Sequence, residues 1–130
     1  MNKAQKIVAG FFAIAILVIA VLFFISLKSP NDSLPSGIVF YYGETCPHCK
    51  LVEEFMASNN ATSRINVTMK ESFSNLVNGD ELIKIGSYCK LAKENLGAVP
   101  LVYSDGKCYL GDTEAINFLK TKLNSSTSTQ

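Results

Sequence analysis

One long run of apolar residues near the N-terminus divides the chain into two parts of different character. Residues 7–27 read IVAGFFAIAILVIAVLFFISL and contain no charged side chain. A helix of that length extends about 31 Å, which matches the hydrocarbon thickness of a bilayer. The sequence therefore predicts one transmembrane helix that places residues 7–27 in the lipid bilayer.

A cleaved signal peptide is the alternative, but the apolar run exceeds the usual length of such a peptide and no small-residue cleavage site follows it. Lys3 and Lys6 precede the run, whereas Lys28 alone follows it closely. This bias predicts a single-pass membrane protein with its N-terminus inside and its remaining residues extracytoplasmic. The reverse orientation would place those residues in a reducing cytosol, where a disulfide-donating role fails.

The composition outside the apolar run favours a single small domain. We expect a cytoplasmic stub and transmembrane helix over 1–28, a proline-containing linker over 29–36, a folded domain over 37–123 and a disordered tail over 124–130. The formal net charge is only +1. No nucleic-acid partner is therefore expected, because bulk positive charge is what holds a polyanion.

The predicted domain begins with a strand followed by a helix. Residues 38–42 (IVFYY) are β-branched or aromatic without a break, which is typical of a central strand. Pro47 predicts the start of a helix, because proline is favoured at the first helical position. We expect that helix to end near Asn59 and Asn60. Its predicted apolar stripe consists of Leu51, Val52, Phe55 and Met56.

Five more elements follow in the predicted order. A strand is expected over 64–69, and then a helix capped by Asp80 and stopped by Gly97. Its inward stripe is Leu82, Ile85, Cys89, Ala92 and Leu96. Strands at 101–103 and 108–110 flank an Asp-Gly pair, which is a strong hairpin signal. Asp112 caps a last helix that buries Ile116, Leu119 and Leu123. This βαβαββα order predicts an α/β fold with a mixed sheet flanked by helices.

The sequence Cys46-Pro47-His48-Cys49 lies where the first strand turns into a helix. Free backbone N–H groups and the helix dipole stabilise a thiolate at a helix N-cap, which lowers the pKa of that cysteine below about 8.5. Cys49, one turn further on, can form a disulfide with Cys46 and resolve a mixed disulfide. We therefore predict Cys46 and Cys49 as a catalytic redox pair. His48 would favour the thiolate further if it carries charge; the alternative is an exposed residue without a role.

From residue 38 to 123 the chain resembles the thioredoxin-like superfamily, in the short form typified by glutaredoxins. Its active-site dipeptide, Pro47-His48, is similar to that of DsbA-type disulfide oxidases. The resemblance is carried by IVFYYGETCPHCKLVEEF, by Gly97-Ala98-Val99-Pro100, and by the hairpin with Gly111-Asp112 after it. It implies a thioredoxin-like fold and thiol–disulfide exchange. It also implies that Pro100 is cis and that Val99 and Pro100 form part of a substrate groove.

The sequence departs from these families at two places. Thioredoxins carry a buried acid six residues before the first cysteine, whereas this chain has Phe40 there. Glutaredoxins bind glutathione partly through a lysine where this chain has Gly43 and Glu44, and Gly111 and Asp112 keep only part of a second glutathione-binding stretch. The resemblance therefore does not extend to an acid-assisted reductive step or to glutathione use.

Cys89 and Cys108 have no assigned role from the motif. A structural disulfide between them, given an oxidising compartment, would enclose an 18-residue loop and stabilise the fold by about 3 kcal/mol. Two buried free thiols acting as small hydrophobes are the main alternative. An auxiliary redox relay or metal ligation also stays open.

Together these features predict a membrane-anchored, extracytoplasmic thiol–disulfide oxidoreductase, an enzyme that needs no cofactor. Its expected partners are protein thiols and disulfides, with a membrane redox protein that recycles Cys46 and Cys49. A thiol-based metal-binding module is a second possibility, although Cys89 and Cys108 are not the closely spaced second pair of a zinc site, so no metal ligand is predicted. A non-catalytic thioredoxin-like interaction domain is the third.

Overall fold

A computed structural model describes residues 2–26 and 34–127. The chain divides into two compact units, Met1–Leu34 and Pro35–Gln130. Helix α1 spans Lys3–Ser26 in the first unit. Within the described ranges, no helix meets the combined length and hydropathy expected of a membrane crossing. Residue 27, at the end of the predicted span, and residues 29–33 of the predicted linker lie outside the described residues. The membrane span and the linker therefore stay predictions.

The second unit is a four-stranded mixed sheet with helices on both faces, in agreement with the predicted α/β class. The strand order is β2-β1-β3-β4; β1 and β2 are parallel, and the other neighbours are antiparallel. The elements are β1 (Ile38–Tyr42), α2 (Pro47–Ser58), α3 (Ala61–Arg64), β2 (Val67–Glu71), α4 (Leu76–Tyr88), β3 (Leu101–Ser104), β4 (Lys107–Leu110) and α5 (Asp112–Thr127), with a turn of 3₁₀ helix at Lys93–Asn95. The short α3 and the 3₁₀ turn were not predicted.

Two apolar cores lie on opposite faces of this sheet, because successive strand residues point to opposite sides. Ile38 and Phe40 of β1 pack with α2 and α5. Val39 and Tyr41 of the same strand pack with α4. Both faces of β1 are thus covered, which explains its unbroken apolar sequence.

Helix α4 begins and ends earlier than predicted. The side chain of Asn75 caps it by accepting a hydrogen bond from the N–H of Asn78 at 3.2 Å, so the helix starts before Asp80. It ends at Tyr88 because Lys90 adopts a left-handed conformation with φ 58°. The N–H groups of Lys90 and Leu91 then bond back to the last turn, which is a Schellman ending. The predicted helical stripe therefore does not continue through Ala92 and Leu96.

Three smaller predictions also need correction. The second strand is Val67–Glu71 instead of 64–69, and Met69 is exposed because β2 lies at the edge of the sheet. Leu51 is exposed on α2, whose buried face includes Cys49, Val52 and Met56. Helix α5 continues to Thr127, so residues 124–127 are helical where a disordered tail was expected; residues 128–130 lie outside the described part.

The predicted hairpin is confirmed. Asp105 and Gly106, at φ 51° and 79°, join β3 to β4 in the positive-φ conformation that a two-residue hairpin turn requires. Helix α5 follows and buries Ala115, Leu119 and Leu123, while Ile116 is only partly buried.

Four connecting segments meet at one end of the strands. Parallel β1 and β2 both end there, antiparallel β3 begins there, and β4 ends there. The segments are 43–46, 72–75, 98–100 and 111–112. Two backbone hydrogen bonds join them in pairs: the N–H of Ser72 donates to Tyr42 O at 2.8 Å, and that of Gly111 to Pro100 O at 2.9 Å. We call this end of the sheet, with its four connecting segments, the site edge.

Candidate active site

Cys46 is the N-cap residue of α2 at the site edge. Its backbone is extended, with φ −86° and ψ 112°, and Pro47 begins the helix. The N–H of Cys49 donates a hydrogen bond to Sγ of Cys46 at 3.1 Å. A negative charge on this sulfur would be stabilised by that N–H group and by the helix dipole. The structure therefore places Cys46 in the N-cap position that the sequence predicted.

Cys46 and Cys49 form a disulfide, and their Cα atoms are 5.2 Å apart. Cys46 keeps 8% of its surface exposed, whereas Cys49 is fully buried. Both belong to the apolar core that contains Phe40, the residue at the position where thioredoxins carry an acid. The strand β1 thus offers the pair an apolar neighbour and no proton acceptor.

The Val99-Pro100 segment lies beside the pair. The peptide bond between these residues is cis, and the carbonyl oxygen of Val99 is 3.9 Å from Sγ of Cys46. Pro100 is buried, and Val99 is partly exposed. The structure therefore brings together Cys46, Cys49 and Val99, which the sequence analysis assigned to one site.

His48 is held by Asp112, a residue that is distant from it in the sequence. Its Nδ1 lies 2.8 Å from Oδ2 of Asp112, the first residue of α5. An ionised carboxylate only accepts hydrogen bonds, so Nδ1 carries the proton. This bond, and the N–H of Thr113, hold the pKa of Asp112 below its usual value.

No local signal pointed to this contact. The two residues are 64 positions apart, and Asp112 was interpreted only as a helix cap and as part of a family motif. The side chain of His48 remains 70% exposed. Water therefore screens its electrostatic influence on neighbouring groups.

Cys89 and Cys108 form the second disulfide, with their Cα atoms 6.0 Å apart. Cys89 follows the last residue of α4 and Cys108 lies in β4, so the bond joins that helix to the hairpin. Both sulfurs pack against the core on the α4 face of the sheet. The disulfide interpretation is confirmed, and the alternative of two free thiols is wrong.

A metal-binding arrangement is not found among residues 2–26 and 34–127, where no three His, Cys, Asp or Glu side chains are grouped to hold an ion. A mixed sheet with a Cys-x-x-Cys disulfide at a strand-to-helix junction is compatible with the thioredoxin-like fold. Comparisons with models of known protein families and with curated proteins give no match.

Proposed function

We propose that this chain is a thiol–disulfide oxidoreductase that acts on protein thiols and disulfides through Cys46 and Cys49. One observation carries the proposal: Cys46 lies at a helix N-cap and keeps 8% of its residue surface exposed, while Cys49 in the same disulfide is fully buried. Of the two cysteines, only Cys46 therefore has any surface open to a substrate. The two cysteines therefore have different roles, with Cys46 reacting with substrate and Cys49 resolving the mixed disulfide.

Oxidation of a substrate dithiol takes two exchanges. A substrate thiol loses its proton and attacks Sγ of Cys46; the Cys46–Cys49 bond breaks, and Cys49 leaves as a thiolate that takes up a proton. The second substrate thiol loses its proton and attacks the substrate sulfur that is now bonded to Cys46. The bond between them breaks, and Cys46 leaves as a thiolate. The substrate gains a disulfide, and the pair gains two electrons. Reduction of a substrate disulfide is the same sequence reversed.

The N-cap supports this chemistry by stabilising negative charge on Cys46. The hydrogen bond from the N–H of Cys49 and the dipole of α2 both favour the thiolate. A stabilised thiolate lowers the free energy of the reduced pair, which makes the disulfide more oxidising. The net direction follows from the potential of this pair relative to that of its partner.

The proposal also includes a location. Residues 7–27 would anchor the protein as a single-pass membrane protein with its N-terminus inside, and residues 29–36 would link the anchor to an extracytoplasmic domain. The uncharged apolar run and the two lysines before it support this arrangement. The Cys89–Cys108 disulfide supports an oxidising compartment. A membrane redox protein on that side would recycle the pair.

The experiment is a measurement of the reduction potential of the Cys46–Cys49 pair in the full chain in detergent. The protein is equilibrated in thiol–disulfide buffers, alkylated and analysed by mass, so that Cys89 and Cys108 are followed separately. We expect reversible exchange with a potential between about −120 and about −270 mV, the range of known catalysts.

Two variants serve as controls for this measurement. Cys49→Ser is expected to accumulate a mixed disulfide at Cys46, and Cys46→Ser is expected to form none. A wild-type pair that does not exchange with any buffer would contradict the proposal. The non-catalytic interaction domain would then describe the protein better.

A further inference from the structure

Three apolar side chains near the start of α4 are exposed to solvent. Phe73 is 54% exposed, Leu76 79% and Val77 63%. They fall within five consecutive residues, beginning in the loop that follows β2. We call them the apolar patch. Single exposed apolar residues are common on protein surfaces, but a cluster of them beside a reactive group indicates a contact surface.

The patch lies at the site edge, beside the turn that leads to Cys46. The ring of Phe73 packs directly on the backbone of Gly43, where any Cβ atom would overlap the ring. The carbonyl oxygen of Gly43 in turn accepts a hydrogen bond from the N–H of Cys46 at 3.1 Å. Phe73 is therefore separated from the reactive cysteine by a single tight turn. Val99 flanks Cys46 from the segment that precedes β3, on the other side of the central strand.

The loop that carries Phe73 is held in place by Glu71. Its carboxylate accepts hydrogen bonds from the N–H groups of Phe73, Ser74 and Asn75 at 2.8, 3.0 and 3.1 Å, and from the hydroxyl of Ser74 at 2.6 Å. The side-chain amide of Asn78 donates to Glu71 O at 2.8 Å. Phe73 is thus presented by an organised loop, and Leu76 and Val77 by the first turn of α4. This order reduces the entropy lost when a partner binds.

We propose that the apolar patch binds an apolar segment of the polypeptide whose cysteine reacts with Cys46. This inference rests on the proposed function and names the substrate class of the same site. An extended peptide advances about 3.3 Å per residue. The two ends of a tight turn such as Gly43–Cys46 lie within about 7 Å of each other, and Phe73 packs on the first of them. A substrate sulfur bonded to Cys46 would therefore bring a residue about two to four positions away to Phe73.

A lipid surface fits the patch less well. Glu44 is exposed in the active-site turn next to Gly43, and its negative charge would oppose anionic headgroups. The substrate class is thus an unfolded or extended polypeptide in which an apolar residue lies a few positions from a cysteine.

The test compares two dithiol peptides as substrates of the full chain in detergent. One carries Phe and Leu three and four positions from its first cysteine, and the other carries Ser at both places. We expect the wild-type protein to oxidise the apolar peptide with a kcat/KM about tenfold higher, since burial of one apolar side chain corresponds to about that factor. The triple variant Phe73→Ser, Leu76→Ser, Val77→Thr is expected to lose this preference.

Ile83→Ser provides the matched control, because Ile83 is an exposed apolar residue of the same helix, 45% exposed and further along α4. It is expected to keep the preference. Reduction by dithiothreitol, which needs no apolar contact, is expected to proceed at the same rate in all variants. Unchanged circular dichroism shows that the triple variant folds.

The outcomes separate this inference from the proposed function. If dithiothreitol does not reduce the pair in the wild-type protein, the proposed function fails. If that exchange proceeds but the triple variant keeps the peptide preference, the inference alone is overturned. It is also overturned if the substitutions change only self-association in sedimentation, or only binding to phosphatidylglycerol vesicles.

Discussion

Nδ1 of His48 and Oδ2 of Asp112 are 2.8 Å apart, and this bond joins the start of α2 to the start of α5. The bond uses Nδ1, the imidazole nitrogen that faces α5, so Nε2 is not bonded to Asp112. It also brings the first turn of the last helix to the reactive pair. Any influence of Asp112 on Cys46 is therefore expected to pass through the ring of His48.

We expect Asp112→Asn to change the reactivity of Cys46 only while His48 is present. In a Cys49→Ser background, His48→Gln should slow alkylation of Cys46 at pH 6 by less than tenfold, because the exposed ring is screened by water. Adding Asp112→Asn to His48→Gln should change the rate no further. Glu114→Gln removes a charge from the same helical turn without touching His48 and serves as the control. An equal effect of Asp112→Asn in both backgrounds would show that it acts independently of the ring.

Loss of the Cys89–Cys108 disulfide is expected to destabilise the domain without stopping the reaction at Cys46. The bond encloses an 18-residue loop, and its removal by the double change Cys89→Ala and Cys108→Ala should lower the free energy of unfolding by about 3 kcal/mol. Urea unfolding measures this difference. Cys46→Ala with Cys49→Ala opens a loop of only two residues and should cost much less; a similar loss in both double variants would argue against the loop-entropy explanation.

Acid is expected to release the loop that carries Phe73. Hydrogen bonds from the Ser74 hydroxyl, and from the N–H groups of Phe73, Ser74 and Asn75, lower the pKa of Glu71 to about 2. A carboxylate whose pKa is lowered by folding stabilises the folded state above its unfolded pKa, near 4.5, and loses that contribution as the pH falls toward 2.

Urea unfolding of the wild-type protein and Glu71→Gln between pH 2 and pH 7 tests this window. The wild type should be more stable by a constant amount above about pH 4.5, and the difference should shrink below it. A difference that stays constant down to pH 2 would show that the carboxylate charge plays no part.

Alkali is expected to act on the other face of the sheet. Tyr41 is fully buried and donates a hydrogen bond to Oε1 of Glu81 at 2.6 Å. Burial first, and this hydrogen bond second, raise the pKa of Tyr41 well above its usual value near 10. The neutral phenol of Tyr41 contributes its full stabilisation of the folded state below pH 10, and this contribution is lost as the pH rises beyond it.

The free energy of unfolding of the wild-type protein should therefore fall more steeply above pH 10 than that of Tyr41→Phe. Tyr88→Phe changes an exposed tyrosine and should follow the wild-type curve. Parallel curves for the wild type and Tyr41→Phe would contradict the assignment.

Elements defined by neighbouring residues could be predicted from the sequence. The β1 strand, the Asp105-Gly106 turn and the N-cap at Cys46 each depend on conformations that a few adjacent residues determine. For α4 the local signals competed. Asn75 and Asp80 are both good caps, and the earlier one is used; Lys90 ends the helix in a conformation that its residue type does not favour.

The contacts that complete the candidate site could not be predicted in this way. His48 meets Asp112, and Gly43 meets Phe73, across distances in sequence that only the sheet topology closes. The family resemblance placed Val99 and Pro100 beside the pair, which the structure reproduces. It contained no information on Phe73, because no matched motif includes that residue.

Successive residues of β1 alternate between the two apolar cores, and each core contacts one of the two disulfides. Even-numbered residues Ile38 and Phe40 belong to the core with Cys46 and Cys49, whereas odd-numbered Val39 and Tyr41 belong to the core beside Cys89 and Cys108. Insertion or deletion of a single residue within this strand would exchange the two sets. The length of β1 is therefore fixed to the residue.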